Sequence, residues 1–245
     1  MPAARTLLLV SVGMCIVVVS FAATTYFLNW VLPGSNVLFS QSVDLPTATL
    51  RPTQKAVRGN LIWPSEDFAN PKWTRNQIAT VEPTAATAPN GENTASLLVE
   101  AADNGRHFIG TNVGGATPGS IHTFSVYFKP AERSIRLEFA DSPKGKYGNA
   151  VCDFSKANTA DSVAKGGNTI DGAVERVGNG WYRCWAAMPF DDRNASVVIE
   201  LDQNGTFPYQ GDGHSGELIW GAQFELGSRP TAYLVTTTSP LAKVN

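Results

Sequence analysis

The chain has 245 residues, 16% of them charged, with a formal net charge of −2, and that balance excludes the basic footprint of a nucleic-acid binder. Its 22 glycines and 15 prolines argue for many turns, while aromatics at 10% argue against disorder. A chain of this length can bury a sizeable core, and the profile is that of an ordered, turn-rich, all-β protein.

The first element in chain order is an apolar run. From Leu7 to Leu32 no side chain carries a charge. As a helix such a run extends ~39 Å, more than the ~30 Å hydrocarbon core requires. Arg5 precedes it, and no Lys or Arg follows until Arg51. The positive-inside rule then places the N-terminus in the cytoplasm and the rest of the chain outside. Residues 1–32 are therefore expected to be a single-pass transmembrane anchor in a bacterial inner membrane, solvated by lipid over residues 7–32. Tyr26 and Trp30 would sit at its outer interface. The competing expectation is a signal peptide cleaved after Ala22, where Ser20-Phe21-Ala22 meets the small-x-small rule. Either way the body is expected to be periplasmic. Residues 33–59, broken by Pro33, Pro46 and Pro52, read as an extended linker, and residues 60–245 as one domain.

Within that domain apolar residues recur with a period of two. Phe124, Val126 and Phe128 share one face, with Ser125, Tyr127 and Lys129 on the other. Ile135, Leu137 and Phe139 alternate with Ser134, Arg136 and Glu138. Val197, Ile199 and Leu201 do so with Ser196, Val198 and Glu200, and Leu218, Trp220, Ala222 and Phe224 with Ile219, Gly221, Gln223 and Glu225. This is the pattern of antiparallel sheet covered on one side. Turn clusters separate the runs, among them Asn90-Gly91, Pro118-Gly119, Asn179-Gly180 and Gly211-Asp212-Gly213. About ten short strands without a helical stretch predict a two-sheet antiparallel sandwich of jelly-roll type. Trp63, Trp181 and Trp220, flanked by apolar neighbours, are expected in the core.

The series NLIWPSEDFANPKW (60–73), APNGENTA (88–95), FSVYFKPAERS (124–134), GNGWYRC (178–184), GDGHSGELIWGAQFE (211–225) and RPTAYLVT (229–236) carries a resemblance in its order and spacing. It resembles a jelly-roll domain of phage and prophage tail-associated and bacterial surface proteins, similar in architecture to carbohydrate-binding modules and concanavalin-like lectins. The resemblance covers residues 60–238. It implies a sandwich and, by analogy only, glycan or exopolysaccharide binding.

Candidate site residues follow from these readings. Sugar binding in such modules stacks an aromatic face on pyranose C–H bonds and reaches the hydroxyls with polar groups. Tyr127, Arg136 and Glu138 on polar strand faces, and Tyr147, Trp185, Phe207 and Tyr209 in or beside turns, are the candidates. The resemblance also implies room for one structural calcium ion, with Glu66, Asp67, Asp212 and Glu225 as candidate ligands, although no EF-hand spacing is present. His107, His122 and His214 are too scattered for a zinc motif. Cys152 and Cys184 lie in strand-like segments able to lie side by side, as a disulfide or as two buried thiols. No GxSxG, HExxH or Cys/His pattern is present, so a non-enzymatic binding module is expected, with no further cofactor. The alternative is an accessory subunit of a membrane protein complex, its helix packed in the membrane and its sandwich a contact surface for protein subunits.

Overall fold

A computed structural model describes the backbone of residues 9–12, 15–22, 25–31, 38–44, 58 and 241–243, and both backbone and side chains of residues 59–141 and 144–240. The chain forms two compact units, Met1–Gln54 and Lys55–Asn245.

In the first unit the structure corrects the expected membrane anchor. Strands β1 (Leu9–Val12), β2 (Cys15–Ala22), β3 (Thr25–Val31) and β4 (Leu38–Asp44) form an antiparallel meander in that order. Among the described residues no helix is long and apolar enough to cross a membrane, so the inner-membrane, single-pass localisation is not supported. The physical reason lies in composition. An unbroken apolar run has no period to separate helix from strand, and Val10, Val12, Ile16, Val17, Val18 and Val19 are β-branched residues whose restricted χ1 favours extended backbone. The side chains of Tyr26 and Trp30, expected at a membrane interface, lie outside the described residues. The stretch read as linker contains β4, and β5 (Arg58–Asn60) runs from its end.

The second unit is a two-sheet antiparallel β-sandwich. Its strands are β6 (Thr74–Asn76), β7 (Ile78–Ala86), β8 (Ala95–Glu100), β9 (Asn104–Gly105), β10 (Phe108–Gly114), β11 (Ser120–Lys129), β12 (Ser134–Asp141), β13 (Lys146–Cys152) and β14 (Val163–Gly167). After these come β15 (Asp171–Gly178), β16 (Trp181–Phe190), β17 (Asn194–Asp202), β18 (Tyr209–Gln210), β19 (Gly216–Leu226) and β20 (Leu241–Lys243). The first sheet has the order β14-β13-β12-β17-β10-β6 and the second β15-β16-β11-β19-β8-β7. The chain changes sheet between β10, β11 and β12 and again between β16, β17 and β19, so neighbours in each sheet are often distant in sequence. Two small ladders, β18 with β9 and β20 with β5, complete the pairing.

The alternation of period two becomes the core. Ile135, Leu137, Phe139, Val197, Ile199 and Leu201 from the first sheet meet Phe124, Val126, Phe128, Met188, Phe190 and Phe224 from the second, all buried in one cluster. Asn60 ties the two ends of the domain together. Its Nδ2 donates to the carbonyls of Ala222 (2.9 Å) and Leu234 (3.0 Å), and its Oδ1 accepts from the amides of Ile62 (3.0 Å) and Phe224 (3.2 Å). A fully buried amide is tolerated there because both its carbonyl and its NH₂ are satisfied.

β19 departs from simple alternation. Gln223 faces Ser125 but Trp220 faces Tyr127, so three steps on β19 match two on β11. Gly221 sits at this bulge with φ +62°, a conformation that L side chains rarely adopt. The extra residue shifts the phase. Ile219, Ala222 and Phe224 enter the main core, while Trp220 turns to the outer face of the second sheet. There it packs with Tyr127, Trp181, Ala88 and Ala95. Trp181 and Trp220 are thus buried, but not in the core shared by the two sheets. Trp63 is only half-buried, with the Lys72 ammonium 2.9 Å from its ring centroid.

The cysteines also differ from a side-by-side arrangement. Cys152 on β13 and Cys184 on β16 belong to opposite sheets and are joined across the core as a disulfide, with S–S 2.00 Å and Cα–Cα 6.1 Å.

Candidate functional site

The first sheet presents its outer face as a set of cross-strand rows. One row reads Phe108, Glu200, Arg136 and Val151 across β10, β17, β12 and β13. The next reads Gly110, Val198, Glu138 and Asn149, and a third Asn112, Ser196, Ala140 and Tyr147. Small side chains in the second and third rows leave a low surface between larger ones. Tyr147 is 53% exposed at one side. Phe207, 37% exposed, comes from the turn after β17 and lies over Arg136, whose guanidinium is 4.0 Å from the ring centroid.

Beneath Phe207 runs a charge network. Arg106 grips Glu200 through two bonds, Nε to Oε1 at 2.7 Å and Nη2 to Oε2 at 2.9 Å, and reaches Glu138 at 3.3 Å. Arg136 Nη1 donates to the same Glu200 Oε2 and its Nη2 lies 3.0 Å from Glu138 Oε2. Glu200 is completely buried, which two flanking guanidiniums make tolerable. Nε of Arg136 is buried without a partner. The result is a stiff, charge-compensated sheet face with two aromatic rings standing on it.

At the edge of this face lies a cavity of about 370 Å³, walled by Phe154, Lys156 and Asp161 on one side and Asn204 and Gly205 on the other. Ser134, Val151 and Asp202 reach it from the sheet. Burial pushes the Asp202 carboxyl above its ordinary range, opposed by the Gly205 amide and the Ser134 hydroxyl. Those two groups donate to its Oδ2 at 2.7 and 3.2 Å, while Oδ1 is buried with no partner.

Arg136, Glu138, Tyr147 and Phe207 are therefore gathered on one face; the remaining candidates are elsewhere. Tyr127 is buried on the opposite sheet beside Trp220. Trp185 is also on that sheet, fully buried, its Nε1 donating to Glu175 and its ring covered by Arg229. The segment after β19 closes over this face, because Thr231, Leu234 and Thr236 bond back to Glu225, Gln223 and Ser65. Tyr209 is buried too, its hydroxyl donating to Glu100 at 2.6 Å. Trp185 and Tyr209 cannot stack on a ligand in this arrangement, and Tyr127 reaches only a cavity on the opposite sheet. A place in or beside a turn predicts exposure, but tertiary contacts cover them.

The candidate calcium ligands do not converge either. Asp212 accepts from the amides of His214 (2.9 Å) and Ser215 (2.7 Å), from the Ser215 hydroxyl and from Arg133. The Ser215 bonds hold its carboxyl far below the usual range. Glu225 is saturated by Gln223 and Thr231, Asp67 accepts from Asn70, and Glu66 lies by Tyr233 and Trp220. Among the described residues no group of three or more His, Cys, Asp or Glu is placed to hold a metal ion. Asp212 and Glu225 meet their needs from local donors instead.

Residues that the sequence did not single out complete the face. Glu200 and Asp202 stand in the alternating run of β17, but nothing there marks them as anchor and cavity wall. Arg106 sits in an irregular segment and Phe154 at the start of a short 3-10 turn, and neither carries a signal of period or motif.

No protein-family model matches the chain, and no curated protein matches it in sequence. Among solved structures it is similar to the enzymatically active domain of tailspike protein 4 from bacteriophage CBA120, with a TM-score of 0.40 and 14% sequence identity. The match covers 68% of this chain and 21% of that one, so this chain spans about a fifth of the solved protein's length.

Proposed function

We propose that the sandwich, of jelly-roll type, is a glycan-binding module that works through the outer face of its first sheet and performs no chemistry of its own. The observation that carries the reading is the meeting of Tyr147, Phe207, Arg136 and Glu138 on one open face beside a cavity. Exposed aromatic rings offer flat apolar platforms to pyranose C–H faces, and Glu138 and Asn149 offer acceptors to hydroxyls. The arginine network fixes Glu138 before a ligand arrives, which limits the ordering entropy that binding must overcome.

The test presents the full chain to a panel of immobilised polysaccharides and follows any hit by calorimetry. Tyr147→Ala and Phe207→Ala should each weaken that hit by about tenfold, equal to ~1.4 kcal/mol. Both rings are exposed, so thermal midpoints should move little. A panel without a hit, or a hit whose affinity neither substitution alters, refutes the reading.

A further inference from the structure

A second cavity, of about 450 Å³, opens on the outer face of the second sheet and shares no residue with the face just described. Its aromatic lining is Tyr127, Trp220 and Tyr233, with Pro89 and Val235 adding apolar wall. The rings are mutually packed, Trp220 lying 4.6 Å from Tyr233 and 5.1 Å from Tyr127 between centroids. The polar atoms of Trp220 and Tyr233 are already engaged. Trp220 Nε1 donates to Thr94 Oγ1 at 3.0 Å, and the Tyr233 hydroxyl is 2.6 Å from Ser65 Oγ. What the rings have left to offer a ligand is their π surface.

The polar lining is Glu66, Glu92 and Asn90, and among the described residues no Lys, Arg or His lines the cavity. Asn90 donates to Glu92 at 3.0 Å, which orients that carboxylate without neutralising it. Glu66 forms no ion pair among the described residues. Burial pushes its carboxyl up from the ordinary value, with the Glu92 charge adding to the rise and the nearby Tyr233 and Trp220 donors opposing it. Arg183 lies 5.0 Å from the Tyr127 ring centroid but stands outside the lining, its guanidinium committed to the Thr231 carbonyl and the Ser125 hydroxyl. The cavity thus combines negative charge without a counter-ion and electron-rich ring surface, both of which attract positive charge.

We propose that this cavity binds an organic cation, an alkylammonium head group that meets the aromatic surface of Tyr127, Trp220 and Tyr233 and is neutralised by Glu66 and Glu92. A sugar would use the rings but has no need of two carboxylates lacking a cation. A metal ion would use the carboxylates but not the apolar wall. An alkylammonium group uses both. The inference does not rest on the glycan reading, because it concerns another sheet and other residues.

The experiment titrates the full chain with choline chloride, following tryptophan fluorescence and heat, alongside 3,3-dimethylbutan-1-ol, the neutral isostere of choline. Nα-acetyl-lysine methylamide serves as a third probe, so that methylated and primary ammonium sources are told apart. One of the two cations should bind saturably and the neutral isostere at least roughly tenfold more weakly. Glu66→Gln should weaken the cation by a similar factor. Glu92→Gln, an exposed change that the fold tolerates, should weaken it several-fold and keeps the test open if the first variant folds poorly. Absence of saturable binding by either cation, equal binding of the neutral isostere, or unchanged affinity in both variants overturns the proposal.

Discussion

Removing the bridge between Cys152 and Cys184 tests how far the two sheets depend on covalent closure. The half-cystines are 32 residues apart in sequence and stand on opposite sheets, so the bond closes a loop that includes β14, β15 and the start of β16. On the chain-entropy model, a loop of that length removes unfolded-state freedom equivalent to about 3.7 kcal/mol at 25 °C. Full reduction leaves both sulfurs in the core and should cost about that amount. The variant Cys152→Ala/Cys184→Ala also vacates two fully buried positions, and should lose roughly 1 kcal/mol more at each. Urea unfolding followed by tryptophan fluorescence reads both values from the midpoint and slope. The slope should rise once the bridge is gone, because the unfolded chain exposes more surface. Reduced and oxidised protein agreeing within about 1 kcal/mol would refute the argument, as would a variant no less stable than the oxidised chain.

Two further expectations concern buried charge. Glu217 is fully buried, accepts only from the Ala131 amide at 3.3 Å, and leaves Oε1 without a partner. Burial pushes its carboxyl up from 4.5 to about 9, so the folded chain holds a proton that the unfolded chain releases. Its contribution is complete below pH 4.5 and is lost as pH rises towards 9, at up to about 1.4 kcal/mol per pH unit. Glu217→Gln should therefore flatten the decline of stability between those pH values; an unchanged slope in the variant counts against it. The second concerns Arg133, which clasps buried Glu100 through bonds of 2.7 and 2.6 Å while Tyr209 and the Asp212 amide complete that carboxylate. Arg133→Met should cost about 3–5 kcal/mol by leaving a buried charge without its partner. Adding Glu100→Gln should recover part of that loss in a double-mutant cycle, and strictly additive costs would show that the pair is not coupled.

The legible part of this fold was the local part. Alternation along β11, β12 and β17 placed Phe124, Leu137 and Ile199 on inward faces because strand geometry turns every second side chain the same way. The same pattern put Arg136 and Glu138 on an outer face together. It failed at β19, where one extra residue at Gly221 reverses the phase and sends Trp220 away from Phe224. It failed differently over residues 7–32, where an apolar run without a period fits helix and strand alike.

By itself, then, the sequence determined the strand periods, the turns and the class of sandwich, because these depend on steric preferences of a few adjacent residues. Tertiary structure alone decided which aromatic rings remain open. Tyr147 and Phe207 stand on an uncovered face, whereas Trp185 and Tyr209 are closed over by segments distant in the chain. It also decided that Glu200 lies between two arginines, that Asp202 walls a cavity, and that Cys152 meets Cys184 from the opposite sheet. Such pairings depend on sheet order and register, which are set by how the whole apolar surface is buried rather than by any local pattern.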